Sequence, residues 1–341
     1  MNADRFQILS RYQEKTEGNR VRCHICPHNC LIPEGKQGNC HTRINREGTL
    51  WSMAYGNPCS VSIDPIEKKP LFHFLPGENI FSLATAGCNF RCLNCQNWQI
   101  SQSAPSEVKS YDLSPEEIVQ QAEFSGTRLI AFTYTEPTVF YEYMFDTASI
   151  AHERSLKTVV VSNGYINPDP LLELIPFLDG ANIDLKCFDN DTYLKLTGGK
   201  LQPVLDTLIT LKKKNVWLEI TNLLIPAFND NPKQIKAMCS WLADNGFTET
   251  PLHFSRFFPN YRLQDAAPTS VKLLLQAKQI AEDRGIKYVY LGNIPQLSGE
   301  NTICSHCGKT LIIREGFSVK ENQLSKGKCR YCETAIPGVW E

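Results

Sequence analysis

The stretch Cys88-Asn89-Phe90-Arg91-Cys92-Leu93-Asn94-Cys95 decides how this sequence is interpreted. Its three thiols, spaced C-x3-C-x2-C, follow a strand-like apolar run at 80–85, and Gly87 permits a tight turn before them. A loop this short can place three thiolates around one metal ion or one small metal cluster. Soft thiolates select iron–sulfur clusters, zinc or Cu(I). A cubane cluster held here by three cysteines keeps one iron open to chelate a small molecule. The alternatives are a zinc loop with a distant fourth ligand and three buried cysteines.

Strand-like and helix-like stretches alternate from about residue 78 to 295. We predict strands at 80–85, 129–134, 158–162, 181–186, 216–222, 252–256 and 287–291. Helical patterns lie at 138–154, 204–214, 232–245 and 269–284, and the capping box Ser114-Pro115-Glu116-Glu117 begins another helix. This alternation predicts parallel strands joined by right-handed crossovers, as an open sheet or a barrel. Ligands of such folds bind at the carboxyl ends of the strands.

Polar residues follow two of these strands. After the strand at 129–134 come Thr135 and Glu136, and then Pro137, which cannot continue a central strand. The unpaired carbonyls left there, with Glu136, suit a cationic amino group, although Glu136 is also a plausible helix start. Asn163 follows the next strand in Ser162-Asn163-Gly164, where it either contacts a ligand or only forms a good turn.

Charged residues end two further strands. Asp184 and Lys186 point to the same face because strand side chains repeat every two residues. Opposite charges inside a barrel need each other or a zwitterionic ligand. Arg256 shares a face with Phe254 and suits either a ligand carboxylate or a salt bridge on the barrel wall.

The N-terminal region is rich in cysteine. Cys23, Cys26, Cys30 and Cys40 have the spacing C-x2-C-x3-C-x9-C and are interrupted by Pro and Gly. We predict a knuckle whose structure a metal stabilises, and both zinc and a second iron–sulfur cluster accept four thiolates. The segment 56–77 that follows is rich in proline, so we expect a linker without regular elements.

Two C-x2-C pairs lie near the end of the sequence. Cys304 with Cys307, and Cys329 with Cys332, present two thiolates each from one turn, as in zinc ribbons. The apolar stretches 311–313 and 317–319 between them predict a hairpin around Glu315-Gly316. We expect zinc here in preference to a mononuclear iron.

Composition restricts the class of protein. The 341 residues allow a barrel with small additional modules, and 35 Lys+Arg against 36 Asp+Glu give no broad charge for binding nucleic acid or membranes. The polar N-terminus has no signal-peptide core, so we expect a cytoplasmic protein in which the 14 cysteines are mainly metal ligands. The predicted domains are 1–77 (Cys-rich region and linker), 78–298 (barrel) and 299–341 (ribbon-like module).

The motif at 88–95 resembles that of the radical S-adenosylmethionine (SAM) superfamily. The following Gln96-Asn97-Trp98-Gln99-Ile100-Ser101 is similar to the branch of pyruvate formate-lyase activating enzymes. The stretches 66–70, 256–259 and 291–295 are similar, more narrowly, to the radical SAM member of the AmmeMemoRadiSam system. Many members have an aromatic residue before the third cysteine, near the adenine, whereas this chain has Asn94.

The resemblance implies a partial (β/α)6 barrel that holds a [4Fe-4S] cluster on Cys88, Cys92 and Cys95. It implies that Thr135 and Glu136 stand where the methionyl amino group of SAM binds, and that Lys186 suits the SAM carboxylate. It further implies cleavage of SAM to a 5′-deoxyadenosyl radical, with reduced flavodoxin or ferredoxin as electron donor. The resemblance leaves the substrate open. It is either a protein, as for glycyl-radical activases, or a small molecule or RNA. A non-catalytic adaptor stabilised by its metals is the alternative from another class.

Overall fold

The computed structural model of the protein describes residues 6–294 and 299–341. The N-terminal strands are β1 (Ile8–Leu9), β2 (Gln13–Thr16), β3 (Arg20–Cys23), β4 (Leu31–Ile32), β5 (Arg43–Arg46) and β6 (Thr49–Ser52). The central strands are β7 (Ser60–Pro65), β8 (Asn79–Ala84), β9 (Leu129–Phe132), β10 (Lys157–Ser162), β11 (Gly180–Asp184), β12 (Trp217–Leu224), β13 (Leu252–Arg256) and β14 (Val289–Gly292). The C-terminal strands are β15 (Thr302–Ile303), β16 (Thr310–Glu315), β17 (Ser318–Asn322), β18 (Leu324–Ser325) and β19 (Lys328–Cys329). The helices are α1 (Trp98–Ser101), α2 (Pro115–Phe124), α3 (Tyr141–Glu153), α4 (Pro168–Leu174), α5 (Asn190–Thr197), α6 (Leu201–Lys213), α7 (Pro232–Asp244) and α8 (Val271–Asp283).

The central sheet has the order β14-β13-β12-β11-β10-β9-β8-β7. Strands β8 to β14 are parallel and sequential, with helices in the connections, so the predicted α/β alternation is confirmed. The helix-facing side of the sheet contributes to the largest apolar core, where Phe132 and Ile183 pack with residues of α2, α3 and α6. The predicted capping box also forms, with Ser114 Oγ accepting from Glu117 N at 3.2 Å.

The segment predicted to lack regular elements contains β7, and that part of the prediction is wrong. Strand β7 pairs antiparallel with β8 at the edge of the sheet, with Val61 opposite Leu83 and Ile63 opposite Phe81. The signal was the six residues between Pro58 and Pro65, in which Val61 and Ile63 alternate with polar groups. An edge strand tolerates a terminal proline because that residue need not donate to a neighbour.

The rest of this segment fills the inner face of the sheet, which is the face opposite the helices. Phe74 and Leu75 pack there against Ile80, Leu129 and Val159. Buried Glu219 accepts hydrogen bonds from the backbone N–H groups of Phe72 and His73 and from His253 Nε2, at 3.0, 2.7 and 2.7 Å. The buried carboxylate of Glu219 on β12 therefore fixes residues 72–73 against the inner face of the sheet.

Smaller sheets surround this centre. The N-terminal strands form two sheets of order β1-β6-β5 and β2-β3-β4. At the other end of the chain, β16 pairs antiparallel with β17, so the predicted hairpin is confirmed. Helices α4 and α5 were not predicted. The predicted domain boundary after residue 298 and Pro295 of the last motif lie outside the described residues. Within the described ranges, no helix is both long and apolar enough to cross a membrane.

Candidate active site

The loop of three cysteines leaves the end of β8 through a glycine that no other residue can replace without strain. Gly87 has φ +100°, and a Cβ added to it would lie 2.4 Å from Thr42 Cγ2 and 2.6 Å from the Cys40 carbonyl oxygen. The Phe90 N–H donates to Cys88 Sγ at 3.3 Å, and Cys95 Sγ lies 3.2 Å from Ser101 Oγ. Hydrogen bonds of this kind stabilise thiolates.

Neighbouring elements hold this loop from two sides. Asn89 donates from Nδ2 to the Tyr165 carbonyl at 2.9 Å and accepts at Oδ1 from Asn163 Nδ2 at 2.8 Å. The N–H groups of Arg91 and Leu93 donate to carbonyls at the end of α5, at 2.8 and 3.0 Å. Asn163, predicted either to contact a ligand or to form a turn, therefore ties the end of β10 to the cysteine loop.

Glu136 is buried, and both of its carboxylate oxygens accept hydrogen bonds. Its carboxylate accepts from Thr138 N, Thr138 Oγ1, Ser162 Oγ and Asn163 N at 2.7–3.0 Å. Burial raises the pKa of Glu136, an effect that those donors oppose. Burial also raises the pKa of Cys88 well above its usual value, and the charges of Glu136 and Cys92 add to the rise. The negative charge of Glu136 thus acts on the Cys88 thiol, and Glu136 also caps the short helix Pro137–Phe140.

Asp184 and Lys186 form an ion pair beside the second cysteine. Lys186 Nζ lies 2.6 Å from Asp184 Oδ2, as expected for two residues on one face of β11 and its extension. Burial raises the pKa of Cys92 to about 12, and Lys186 is the largest opposing influence. Burial alone would lower the pKa of Lys186, but Asp184, Cys92 and Cys95 raise it overall. The cation is therefore within electrostatic reach of two of the three thiols.

Two other predicted residues, Thr135 and Arg256, donate hydrogen bonds to backbone carbonyls. Thr135 donates from Oγ1 to the Thr85 carbonyl at 2.8 Å, which joins the ends of β8 and β9. Arg256 donates from Nε to the Thr269 carbonyl at 2.8 Å, and its guanidinium lies 4.9 Å from the centre of the Phe258 ring. These contacts place Arg256 at the end of β13, next to the residues that precede α8.

The structure adds a finding on Asn94, which the sequence already singled out, and identifies a role for Tyr134 that the sequence did not indicate. The Oδ1 atom of Asn94 is buried, and among the described residues it has no hydrogen-bond partner. Tyr134 has φ +63°, an unusual conformation for a bulky residue, and its hydroxyl donates to Asp64. Lys69 Nζ lies 2.6 Å from Asp64 Oδ2 and 4.3 Å from the centre of the Tyr134 ring. The contacts of Tyr134 join residues distant in sequence, so no local pattern signals them.

The C-terminal cysteines form a compact group. The sulfur atoms of Cys304, Cys307, Cys329 and Cys332 all lie within 4.8 Å of one another. Within residues 6–294 and 299–341, this is the only group of three or more His, Cys, Asp or Glu residues that is so compact. Two of the sulfur pairs are 3.7 Å apart. Four thiolates bound to one ion at about 2.3 Å are about 3.8 Å apart, so this group fits a single tetrahedral metal ion.

Comparison with known proteins identifies the family. The family model described as the radical SAM superfamily matches residues 82–242. An uncharacterized protein of Methanocaldococcus jannaschii is 47% identical over 327 residues, covering 95% of this chain and 97% of that protein. The chain belongs to the radical SAM superfamily. The pyruvate formate-lyase 1-activating enzyme of Escherichia coli K12 is 24% identical over 221 residues, 60% of this chain and 89% of the enzyme.

A solved structure supports the same fold. SuiB of Streptococcus suis, solved bound to S-adenosylmethionine, superposes with a TM-score of 0.50 at 13% identity over 71% of this chain and 58% of that one. The fold of this radical SAM protein is accordingly an α/β partial barrel. Superfamily members are enzymes that use SAM and an iron–sulfur cluster.

The residues present fit such a cluster. Cys88, Cys92 and Cys95 present three thiols from one short loop, and cysteine thiolates are the ligands of iron–sulfur clusters. Lys186 and the buried Oδ1 of Asn94, which has no partner in the part of the chain that the structure describes, supply a cation and an acceptor that a zwitterionic nucleoside ligand can use.

Proposed function

We propose that the protein cleaves SAM reductively at a [4Fe-4S] cluster on Cys88, Cys92 and Cys95 and abstracts hydrogen from a substrate bound at the carboxyl ends of the strands. The observation that carries this proposal is the hydrogen-bonded link from Glu136 through Asn163 to Asn89 of the cysteine loop, together with the Asp184–Lys186 ion pair at the end of a neighbouring strand. When bound, the reduced cluster and SAM supply methionine and a 5′-deoxyadenosyl radical, and the protein orients them and excludes water.

The roles of the residues follow from their contacts. Lys186 binds the SAM carboxylate, while Asp184 keeps the ammonium in place when the ligand is absent. Glu136 has its oxygens engaged, so with Thr135 it acts mainly by fixing the strand ends around the methionyl amino group. Asn163 holds the cysteine loop in position through Asn89.

The finer assignments are also proposals. Arg256 is proposed to contact a carboxylate of SAM or of the substrate. The C-terminal cysteines hold zinc, in a ribbon-like module spanning 299–341, after a (β/α)6-type barrel at 78–298 and a Cys-rich region at 1–77. The protein acts in the cytoplasm and takes electrons from reduced flavodoxin or ferredoxin.

The substrate class that we favour is a protein, because the similarity to an activating enzyme extends over 60% of the chain. Within the superfamily, the chain is proposed to be the radical SAM member of the AmmeMemoRadiSam system. A small molecule or RNA is the alternative substrate. A metal-stabilised adaptor without catalysis is the alternative function, and it leaves the buried polar residues around the cysteine loop unexplained.

The decisive experiment measures 5′-deoxyadenosine after anaerobic reconstitution with iron, sulfide, SAM and dithionite. The wild-type protein should release 5′-deoxyadenosine, and Cys88→Ala, Cys92→Ala and Cys95→Ala should each abolish the release. Cys59→Ala is the matched control, since Cys59 lies in none of the three cysteine groups. Wild-type release by any of the three variants, or none by the wild type, would leave the adaptor as the better explanation.

A further inference from the structure

Tyr134, two residues after β9, has a backbone conformation that bulky residues disfavour. Its φ is +63°, and the Thr135 N–H donates to the Thr133 carbonyl at 2.8 Å, which closes a three-residue turn around it. Turns of this kind with a positive φ at the central residue are rare and strained. Such strain persists only where the surrounding contacts impose it, and it is concentrated at functional sites. The contacts of Tyr134 therefore indicate what its conformation serves.

A buried ion pair holds the ring of Tyr134. The Tyr134 hydroxyl donates to Asp64 Oδ2, and Lys69 Nζ lies 2.6 Å from the same oxygen and 4.3 Å from the centre of the ring. The side chains of Asp64 and Lys69 are only 5% and 2% exposed. Lys68 Nζ donates to the other oxygen of Asp64 at 2.8 Å. Loss of Asp64 would leave the ammonium of Lys69 buried without its partner, so the pair is costly to disrupt.

The Tyr134 carbonyl is bound by the residue that precedes the helix after the cysteine loop. It accepts from Asn97 Nδ2 at 2.6 Å, and Asn97 lies immediately before α1. The Ser101 N–H donates to the Asn97 carbonyl at 2.9 Å, and Ser101 Oγ lies 3.2 Å from Cys95 Sγ. A continuous series of contacts therefore connects Asp64, through Tyr134 and Asn97, with the third cysteine.

We propose that Tyr134 is a positioning residue for Cys95. The Asp64–Lys69 pair fixes its ring, the left-handed backbone directs its carbonyl to Asn97, and Asn97 fixes the start of α1. A residue in the extended conformation would direct its carbonyl to the neighbouring strand, and Asn97 would lose its acceptor. The buried ion pair thus has a role in the site. This inference rests on the proposed function only in that the loop holds a cluster, and it does not depend on the cleavage of SAM.

The test measures how fast iron leaves the cysteine loop. The anaerobically reconstituted full chain is mixed with an excess of an iron chelator, and loop-bound iron is the part that is absent when Cys88, Cys92 and Cys95 are all replaced by Ala. Iron leaves when the loop opens, so a weaker hold on the loop raises the rate. We expect Tyr134→Phe to lose this iron about 10-fold faster, since it keeps the ring but lacks the hydrogen bond to a carboxylate.

Asn97→Ala removes the next contact in the series and should also release loop-bound iron faster. Because both residues act through one contact, the double variant should release iron no faster than Asn97→Ala alone, whereas the effects of independent sites on the rate would multiply. Tyr143→Phe is the matched control, because Tyr143 is buried in α3 and its hydroxyl also donates a hydrogen bond, to the Leu113 carbonyl. The control should reduce stability without changing the rate of iron release.

A wild-type rate of iron release in Tyr134→Phe would overturn the inference, and so would effects that multiply in the double variant. Equal acceleration by Tyr143→Phe would also contradict it, because general destabilisation would then explain the rates. If Tyr134→Phe does not fold, Asn97→Ala decides, since a wild-type rate in that variant breaks the series of contacts. Absence of loop-bound iron from the wild type would contradict the proposed function as well, whereas the other outcomes leave the proposed function intact.

Discussion

Lys186 Nζ lies 2.6 Å from Asp184 Oδ2, and both side chains are close enough to Cys92 to shift the pKa of its thiol. Each charge has a partner before any ligand arrives, which avoids the large cost of an isolated charge in a partly buried site. A zwitterion can join this pair without leaving a charge unpaired. This arrangement leads to a prediction for each of the two residues.

Replacement of Lys186 by Met keeps the aliphatic stem and removes the charge. We predict that SAM binds at least ~10-fold more weakly, about 1.4 kcal/mol, with the absorption spectrum of the cluster unchanged. Asp184→Asn should reduce SAM affinity less and stability more, because it leaves the ammonium without its partner. Affinity is measured anaerobically on reconstituted protein, with the exposed Lys213→Met as control. Unchanged affinity in Lys186→Met would remove Lys186 from the SAM site.

Asn94 stands where many superfamily members have an aromatic residue near the adenine. Its buried Oδ1, unpartnered among the described residues, can accept from the adenine amino group. We predict that Asn94→Ala weakens SAM binding about 3- to 10-fold, the effect of one neutral hydrogen bond. An analogue with a 6-oxo group in place of the amino group should bind the variant and the wild type equally. If Asn94→Ala lowered the affinity for SAM and for the analogue equally, Asn94 would act by positioning the cysteine loop and not by accepting from the adenine amino group.

The sequence predicts the parallel strands well because each is a local apolar run bounded by turn residues. It also places Asp184 and Lys186 on one face, since that depends only on the period of a strand. The contacts of Glu219 with residues 72 and 73 join positions 146 and 147 residues apart, and no local pattern encodes them. Strand β7 was missed because prolines on either side outweighed the short alternation at Val61 and Ile63. The ligand-binding roles of the strand-end residues stay predictions.

The C-terminal group gives a prediction about metal content. Its sulfurs are already spaced for one tetrahedral ion, so Cys304→Ala or Cys329→Ala should lose one metal ion per chain. The catalytic cluster should remain, because the C-terminal cysteines belong to a different apolar cluster from Cys88 and Cys92. Metal analysis of anaerobic protein measures both, with the buried Cys239→Ala as control. Unchanged zinc and mononuclear iron in both variants would contradict the assignment.

The burial of the His73 side chain leads to a prediction about how the free energy of unfolding depends on pH. Its Nδ1 donates to the Pro337 carbonyl at 2.7 Å, its Nε2 accepts from the Tyr290 hydroxyl, and burial lowers its pKa to about 4. Between pH 6.5 and 4 the unfolded chain binds a proton here that the folded chain does not, so the free energy of unfolding falls as pH falls.

Between pH 6.5 and 5, this single group should remove roughly 1–2 kcal/mol from the free energy of unfolding, because the unfolded chain is already half protonated at this position at pH 6.5. His73→Gln abolishes the titration, so the wild type should lose about that much more than the variant over this interval. Urea unfolding at the two pH values measures the difference, in which the contributions of distant groups cancel. Equal losses in both proteins would show that His73 titrates normally in the folded state.

The close approach of residues 40 and 42 to Gly87 leads to a prediction about a structural link between the N-terminal region and the catalytic loop. In Gly87→Ala the new Cβ would lie 2.6 Å from the Cys40 carbonyl oxygen and 2.4 Å from Thr42 Cγ2, so one of the two chain segments has to move.

Gly126→Ala is the matched control, because Gly126 also has a positive φ, +76°, but no atom lies within 4 Å of its added Cβ. The control should cost about 1–2 kcal/mol of stability, from the backbone conformation alone. Gly87→Ala should cost more, and it should also reduce the iron bound by the Cys88–Cys95 loop, which Gly126→Ala should leave at the wild-type level. Equal stability and equal iron in the two variants would mean that the two segments adjust independently, and that the N-terminal region does not position the catalytic cysteines.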